Sequence, residues 1–319
     1  MSDPRIGSVI AGHRLERLVG RGGMGVVYAA VDETLGRTVA LKLIAPELAA
    51  EPGFRGRFMT ESRLAASLDH PNVVPIFRAG EEGGLLFMAM RFVDGDDLRT
   101  LVERDGPLPV DRAAAQITQV AAALDAAHAG GLVHRDVKPA NVLVTAGGHC
   151  YLTDFGLVKD LAATTADTRT GEVLGTLDYI APERIQGGET GPWTDVYALG
   201  CVLFFALTGR VVFPLEEPER KLWAHISEPP PSTAVDPAVD AVLARALAKD
   251  PRERFASAPA LAAALQAAIG DGSGVPAVDE IAEVERRLID VRRQQIPGKV
   301  QLVEQLAQQL ADLRRAGNP

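Results

Sequence analysis

Short apolar runs fill the first part of the chain, and longer segments with helical spacing fill most of the rest. Residues 13–19 lead into a glycine-rich stretch at 20–25, and residues 26–31 read as a further strand. Residues 39–42 close another apolar run. Phe54, Phe58, Leu64 and Leu68 recur at helical spacing, and Asp69-His70-Pro71-Asn72 ends that segment. Residues 73–77 and 85–90 then read as two strands around a turn at 80–84, and Phe92-Val93-Asp94-Gly95 marks a connection. Helical signatures follow at 97–103 and 110–129, the second rich in alanine, a strong helix former. Residues 142–144 and 150–152 are apolar runs parted by Thr145-Ala146-Gly147-Gly148, the pattern of a tight hairpin. The most hydrophobic stretch, 196–207, is too short to span a bilayer and predicts a buried helix headed by Asp195, an N-cap residue type.

Asp271-Gly272-Ser273-Gly274 is a polar break suited to a linker at 270–277. Beyond it Ile281, Val284, Leu288 and Val291 repeat at spacings of three and four, as do Leu302, Leu306, Leu310 and Leu313 after Pro297-Gly298. Two amphipathic helices separated by a breaker are therefore expected over 278–316. Residues 275–319 carry seven basic and seven acidic side chains, so this is not a basic membrane-binding helix. A hairpin folded back on the rest of the chain and a dimerising coiled coil both fit the pattern.

Composition narrows the class. A chain of 319 residues has room for about two domains, and 47% apolar with 24% charged residues is ordinary for a soluble protein. The net charge of −9 argues against a general nucleic-acid-binding surface. Cys150 and Cys201, one in a predicted strand and one in a predicted helix, suggest buried thiols in a reducing compartment. The scattered histidines lack zinc-ligand spacing. The N-terminal residues show no secretion signal and no run is long enough for a membrane span, so a cytoplasmic location is expected.

Candidate chemistry gathers at 134–156. His134-Arg135-Asp136-Val137-Lys138-Pro139-Ala140-Asn141 is followed, thirteen positions after Asn141, by Asp154-Phe155-Gly156. The hairpin between them puts Asn141 and Asp154 at neighbouring strand ends. The amide oxygen and the carboxylate suit a hard cation such as magnesium, shared with substrate phosphates. Asp136 is left without a metal role and is free to orient a hydroxyl. Upstream, Gly20, Gly22 and Gly25 form G-x-G-x-x-G, whose glycines let a backbone approach phosphates closely. A dinucleotide-binding turn would open into a helix, whereas 26–31 reads as a strand.

With Val39-Ala40-Leu41-Lys42 and Ala181-Pro182-Glu183, these stretches resemble the bacterial eukaryotic-like (Hanks-type) Ser/Thr protein kinases over residues 7–269. The resemblance implies an α+β, bilobal fold: a small antiparallel-sheet N-lobe at 7–92, a mainly helical C-lobe at 93–269, and the pair of amphipathic helices as a tail. It implies ATP under Gly20, Arg21, Gly22, Gly23, Met24 and Gly25, lined by Val27, Ala40, Met90 and Leu143. Met90 would be the gatekeeper, and the backbone of Arg91 and Val93 would meet the adenine edge. Lys42 would contact the phosphates, held by Glu61 on the following helix; Glu51 reads instead as a first-turn dipole partner. Asn141 and Asp154 would hold Mg2+, or Mn2+ in its place, while Asp136 orients the substrate hydroxyl and Lys138 offsets charge on the moving phosphate.

His134, Arg135, Phe155, Glu183, Asp195 and Arg254 take structural roles in the same resemblance: Asp195 holds the catalytic-loop backbone, and Glu183 pairs with Arg254. Thr176 would complete the substrate pocket. Arg135 gains a strong bidentate partner if a nearby threonine is phosphorylated. Thr168 and Thr170, rather than Thr164 and Thr165, match the usual phosphosite position. Lys138 after the catalytic aspartate points to Ser/Thr rather than tyrosine specificity. The expected function is transfer of the γ-phosphate of ATP to protein Ser/Thr hydroxyls, with autophosphorylation through a transient homodimer and a further partner for the tail. The alternative is a pseudokinase or nucleotide-sensing scaffold acting through its helical tail, though such proteins typically lose Lys42, Asp136 or Asp154; small-molecule phosphotransferases of similar fold generally lack the A-P-E segment.

Overall fold

The computed structural model describes residues 3–155 and 177–270. Six antiparallel strands form the first lobe: β1 (Val9–Ile10), β2 (His13–Gly22), β3 (Gly25–Asp32), β4 (Arg37–Ile44), β5 (Ile76–Glu82) and β6 (Leu85–Arg91), in the order β1-β2-β3-β4-β6-β5. Alternation along β4 decides what each face carries. Val39, Leu41 and Leu43 join Leu15, Tyr28 and Phe87 in one apolar cluster. Ala40 packs on the other side, in a cluster with Met90 and with Phe54 and Phe58 of α2 (Phe54–Ala66). Lys42 has the parity of Ala40, which turns its ammonium away from the first cluster. A short helix, α1 (Pro46–Ala49), precedes α2.

The second lobe is helical. Its elements are α3 (Leu98–Asp105), α4 (Val110–Ala129), α5 (Pro182–Ile185), α6 (Pro192–Thr208), α7 (Pro218–Ser227), α8 (Pro237–Ala246) and α9 (Ala258–Gly270). Helix α6 is buried on every side from Thr194 to Leu207, as expected of a segment hydrophobic all round. A small sheet of β7 (Gly95–Asp97), β8 (Val142–Thr145) and β9 (Cys150–Leu152) closes the lobe toward the cleft. Asn72 ties the loop after α2 to this lobe. Its side-chain amide donates to the Cys150 carbonyl at 2.8 Å and to Gln119 Oε1 at 3.1 Å, while Leu152 N–H donates to the Asn72 carbonyl at 2.7 Å.

The expected fold class holds for the two lobes, with differences at element ends. The run at 73–77 is mostly not strand: β5 begins at Ile76 and continues to Glu82, so the turn is Gly83-Gly84 and Gly80 lies in the strand. A Cβ at Gly80 would crowd the Phe87 ring at 3.3 Å. Leu64 is exposed on α2, and Glu51 lies before that helix rather than in its first turn. Helix α6 starts at Pro192 with Gly191 as its N-cap, so Asp195 is inside the first turn and does not cap it. The linker and tail expected at 270–277 and 278–316 lie outside the described residues apart from Gly270, the last residue of α9. Among the described residues no helix is long and apolar enough to cross a membrane.

His225 of α7 is fully buried beside Tyr197 of α6, whose hydroxyl lies 2.8 Å from its Nδ1, with Phe213 edge-on to the ring. Burial, and then the Lys249 and Lys221 cations, push its pKa from 6.5 down to about 3. The unfolded chain therefore binds a proton that the folded chain refuses between these values. The contribution of neutral His225 is complete above pH 6.5 and is lost as the pH falls toward 3. In urea denaturation at pH 7 and pH 4, His225→Gln is expected to lose less stability on acidification than the parent protein. An equal loss in both would remove His225 from the acid response.

Candidate active site

The glycine stretch forms the β2–β3 hairpin, in which Gly22 pairs with Gly25. Gly25 is at φ +139°, and a Cβ there would stand 1.9 Å from the Leu43 carbonyl, so the protein's own backbone demands glycine. A Cβ on Gly20 meets nothing within 4 Å. The cleft side of the sheet brings together the expected adenine-lining residues: Ala40, Met90, Val93 and Leu143 pack in one cluster. Val27 pairs with Lys42 across β3 and β4. The N–H of Arg91 is already used on the Pro75 carbonyl at 2.9 Å, so that donor is not open to a ligand.

Lys42 is buried, and its Nζ lies 2.8 Å from Asp154 Oδ1. This differs from the expected Lys42–Glu61 pair. Glu61 is half-buried on α2, and among the described residues Asp154 is the carboxylate in ion-pair range of the Lys42 ammonium. A buried cation takes the nearest well-oriented carboxylate, because leaving it unpaired in a low-dielectric site is costly. Asp154 reaches it from the left-handed region, at φ +55°.

Below the cleft, His134 is fully buried and stacks near Phe155 with centroids 4.7 Å apart. Its Nε2 contacts the Thr153 carbonyl at 3.0 Å, while Nδ1 accepts from the Asp136 N–H at 3.2 Å. These roles define one neutral tautomer, and burial pushes the pKa of His134 down, which keeps it neutral. Asp136 Oδ2 lies 3.0 Å from Lys138 Nζ. Asn141 Nδ2 donates to the Asp136 carbonyl at 2.7 Å and to its Oδ2 at 3.2 Å. With Nδ2 committed, Oδ1 is the free face of that amide. Thr153 N–H donates to the Asn141 carbonyl at 3.0 Å, which holds Asp154 beside Asn141 as the hairpin spacing predicts.

The donor set suits a hard cation that keeps waters and substrate oxygens in its shell: one amide oxygen and one carboxylate. Among the described residues no cluster of three or more His, Cys, Asp or Glu side chains could hold a metal by itself.

Asp195 Oδ1 accepts from the Arg135 N–H and Oδ2 from the His134 N–H, both at 2.8 Å. His128 Nε2 also lies 2.8 Å from Oδ2. Glu183 and Arg254 form a buried bidentate pair at 2.8 and 2.9 Å, and the remaining guanidinium donors reach the Trp193, Ala248 and Lys249 carbonyls. Thr194 Oγ1 donates to Glu183 Oε1 at 2.9 Å. The Arg135 side chain is exposed. Gly156, Thr164, Thr165, Thr168, Thr170 and Thr176 lie outside the described residues.

Three supporting residues escaped sequence reasoning. His128, Asn72 and Gln119 act on backbone or carboxylate partners far along the chain, and nothing in their local pattern signals it. Both thiols are buried as expected, and burial pushes Cys150 up to about 12 and Cys201 higher still, which disfavours the reactive thiolate.

A bilobal fold with this cleft defines a protein kinase, and residues 13–265 match the model of the protein kinase domain. The chain belongs to that family. Its similarity is to bacterial Ser/Thr members. It is 46% identical over 277 residues to the serine/threonine-protein kinase PknD of Mycobacterium tuberculosis, covering 84% of this chain and 42% of PknD. It is 44% identical over 292 residues to PknH of Mycobacterium bovis, covering 89% of this chain and 48% of PknH. The chain thus spans less than half the length of either relative. The crystal structure of the Mycobacterium tuberculosis PknI kinase domain superposes with a TM-score of 0.69 at 33% identity, covering 83% of this chain and 98% of that one.

Two variants test the frame of the site. Gly25→Ala is expected to destabilise the protein by on the order of 1–3 kcal/mol, whereas Gly20→Ala leaves the denaturation midpoint in place. A destabilised Gly20→Ala would show that crowding by the protein matters at both glycines. Arg254→Met strands the Glu183 carboxylate and is expected to cost about 3–5 kcal/mol in denaturant titration. A loss below about 1 kcal/mol would mean that the pair contributes no more than an exposed one.

Proposed function

We propose that the protein is an ATP-dependent Ser/Thr protein kinase that passes the γ-phosphate to hydroxyls of protein substrates. The observation that carries the reading is the convergence of Asp136, Lys138, Asn141 and Asp154 on the second-lobe side of the cleft with Lys42 from the first-lobe sheet. Nearly all of phosphoryl-transfer catalysis is positioning and electrostatic stabilisation. The work of this chain is therefore to hold charges where they meet the phosphates.

The hairpin at 20–25 covers the triphosphate, and Ala40, Met90, Val93 and Leu143 offer an apolar slot for the base. Lys42 steadies the α- and β-phosphates, and Glu61 on α2 would hold its ammonium were Asp154 engaged with a metal ion. Asp136 accepts a hydrogen bond from the substrate hydroxyl and orients it. Lys138, 3.0 Å from Asp136, offsets charge on the transferred group. Asn141 and Asp154 hold Mg2+, or Mn2+ in its place, which neutralises phosphate charge when bound. The kinase domain runs over 7–269, and phosphorylation of Thr168 or Thr170 in a transient homodimer gives Arg135 its anionic partner. Thr176 lines the substrate pocket, the tail binds a further partner, and the protein works in the cytoplasm.

Incubation with radiolabelled ATP and magnesium tests the reading. Label on Thr168 or Thr170 is expected, with a fall of on the order of 100-fold or more in Lys42→Met and Asp154→Asn. Retention of label in both variants would assign it to a contaminating kinase. Magnesium-dependent nucleotide binding without transfer would make a nucleotide-sensing scaffold the better account.

A further inference from the structure

Arg135, the residue before Asp136, is held on both sides of its backbone. Its N–H donates to Asp195, and its carbonyl accepts from Arg184 Nη1 at 2.5 Å. Arg135 itself sits at φ +62°, a conformation that a non-glycine residue keeps only when its surroundings over-determine it. The carbonyl that Arg184 grips belongs to the same peptide unit as the Asp136 N–H, which reaches His134 Nδ1. Fixing one end of this rigid plane fixes the other. The direction in which the Asp136 side chain leaves the backbone follows from it.

Arg184 is built into this place. It follows Glu183 on the single turn of α5, so the Glu183–Arg254 pair anchors its backbone. Its side chain is buried among charges from three elements: Asp136 and Arg135 of the catalytic loop, Asp195 of α6, and its own neighbour Glu183. Burial disfavours the guanidinium charge, and the Asp136, Asp195 and Glu183 carboxylates favour it. The cavity beside it, lined by Arg135, Asp136, Arg184, Thr194 and Asp195 among others, measures about 10 Å³. That is about one water probe sphere, room for at most a single water beside the guanidinium.

We propose that Arg184 is a positioning residue for phosphoryl transfer, setting the plane of the 135–136 peptide and so the aim of Asp136. This rests on the kinase reading above. It makes the end of the activation segment, through Glu183 and Arg184, a physical support of the catalytic loop. In this role Arg184 acts through the Arg135 carbonyl rather than on the substrate.

The test compares the full chain with Arg184→Met and Arg184→Lys. Steady-state transfer to casein gives kcat and the KM for ATP, and amide hydrogen exchange reads Arg135 and Asp136 directly. Arg184→Met is expected to lower kcat by about 10–100-fold and to speed exchange at both amides, with the KM for ATP within about twofold. Arg184→Lys, which keeps one cationic donor, is expected to restore part of both effects. Unchanged exchange and kcat in Arg184→Met would overturn the proposal. So would a loss in both variants that tracks a fallen unfolding midpoint, since that is structural support alone. If the parent chain transfers no phosphate, the kinase reading fails while the exchange measurement still decides the role of Arg184.

Discussion

One buried carboxylate organises the reactive half of the molecule. Asp195 sits fully enclosed in the first turn of α6, where an isolated charge would be very costly. It is tolerated because two backbone N–H groups of the catalytic loop and the His128 ring occupy its oxygens. The same contacts hold Arg135 in a left-handed conformation that it would not choose alone. From that bend the remaining geometry follows. Asp136 is aimed into the cleft, His134 is turned onto the Thr153 carbonyl, and the β8–β9 hairpin is held against the catalytic loop. The most buried helix thus acts as the rigid wall from which the site is hung.

The other buried charges obey the same rule by different means. Arg254 spends all its donors on Glu183 and on three carbonyls, which makes the pair a permanent brace. Lys42 and Asp154 pair at similar distance, yet in the proposed reaction the two would part. The difference lies in surroundings. Glu183 and Arg254 are closed in on every side, whereas the Asp154 carboxylate is about a quarter exposed at the cleft, at 28%. A pair that faces the cleft can exchange partners, and one sealed in the core cannot do so without unfolding.

Much of the site was readable because its parts are local. Asp136, Lys138 and Asn141 fall within one loop, and a short hairpin returns the chain to put Asp154 beside them. Alternation along β4 placed Lys42 on the cleft side for the same reason: a strand has period two whatever it packs against. Helix α4 appeared where alanine-rich helical patterning put it, with the same bounds. The errors were also local in kind. Leu64 fitted a helical stripe yet is exposed, and the segment at 73–77 had strand composition but serves chiefly as a tether to the second lobe.

What the sequence determined by itself was the set of chemical groups and their order: glycines, a lysine, an aspartate loop and a hairpin, each specified by neighbours a few residues away. Tertiary structure alone decided which charges meet. Lys42 and Asp154 are far apart in the chain, as are Arg254 and Glu183, and Asp195 lies 60 residues from the Arg135 N–H it holds. Their partners are chosen by the packing of α2, α4 and α6 and by the need to pair every buried charge. The Glu183–Arg254 pair and the hold of Asp195 on the catalytic loop were legible through family resemblance alone. For Lys42 and Asp154 no local pattern records the choice, because it depends on distances that exist only once the lobes have closed around them.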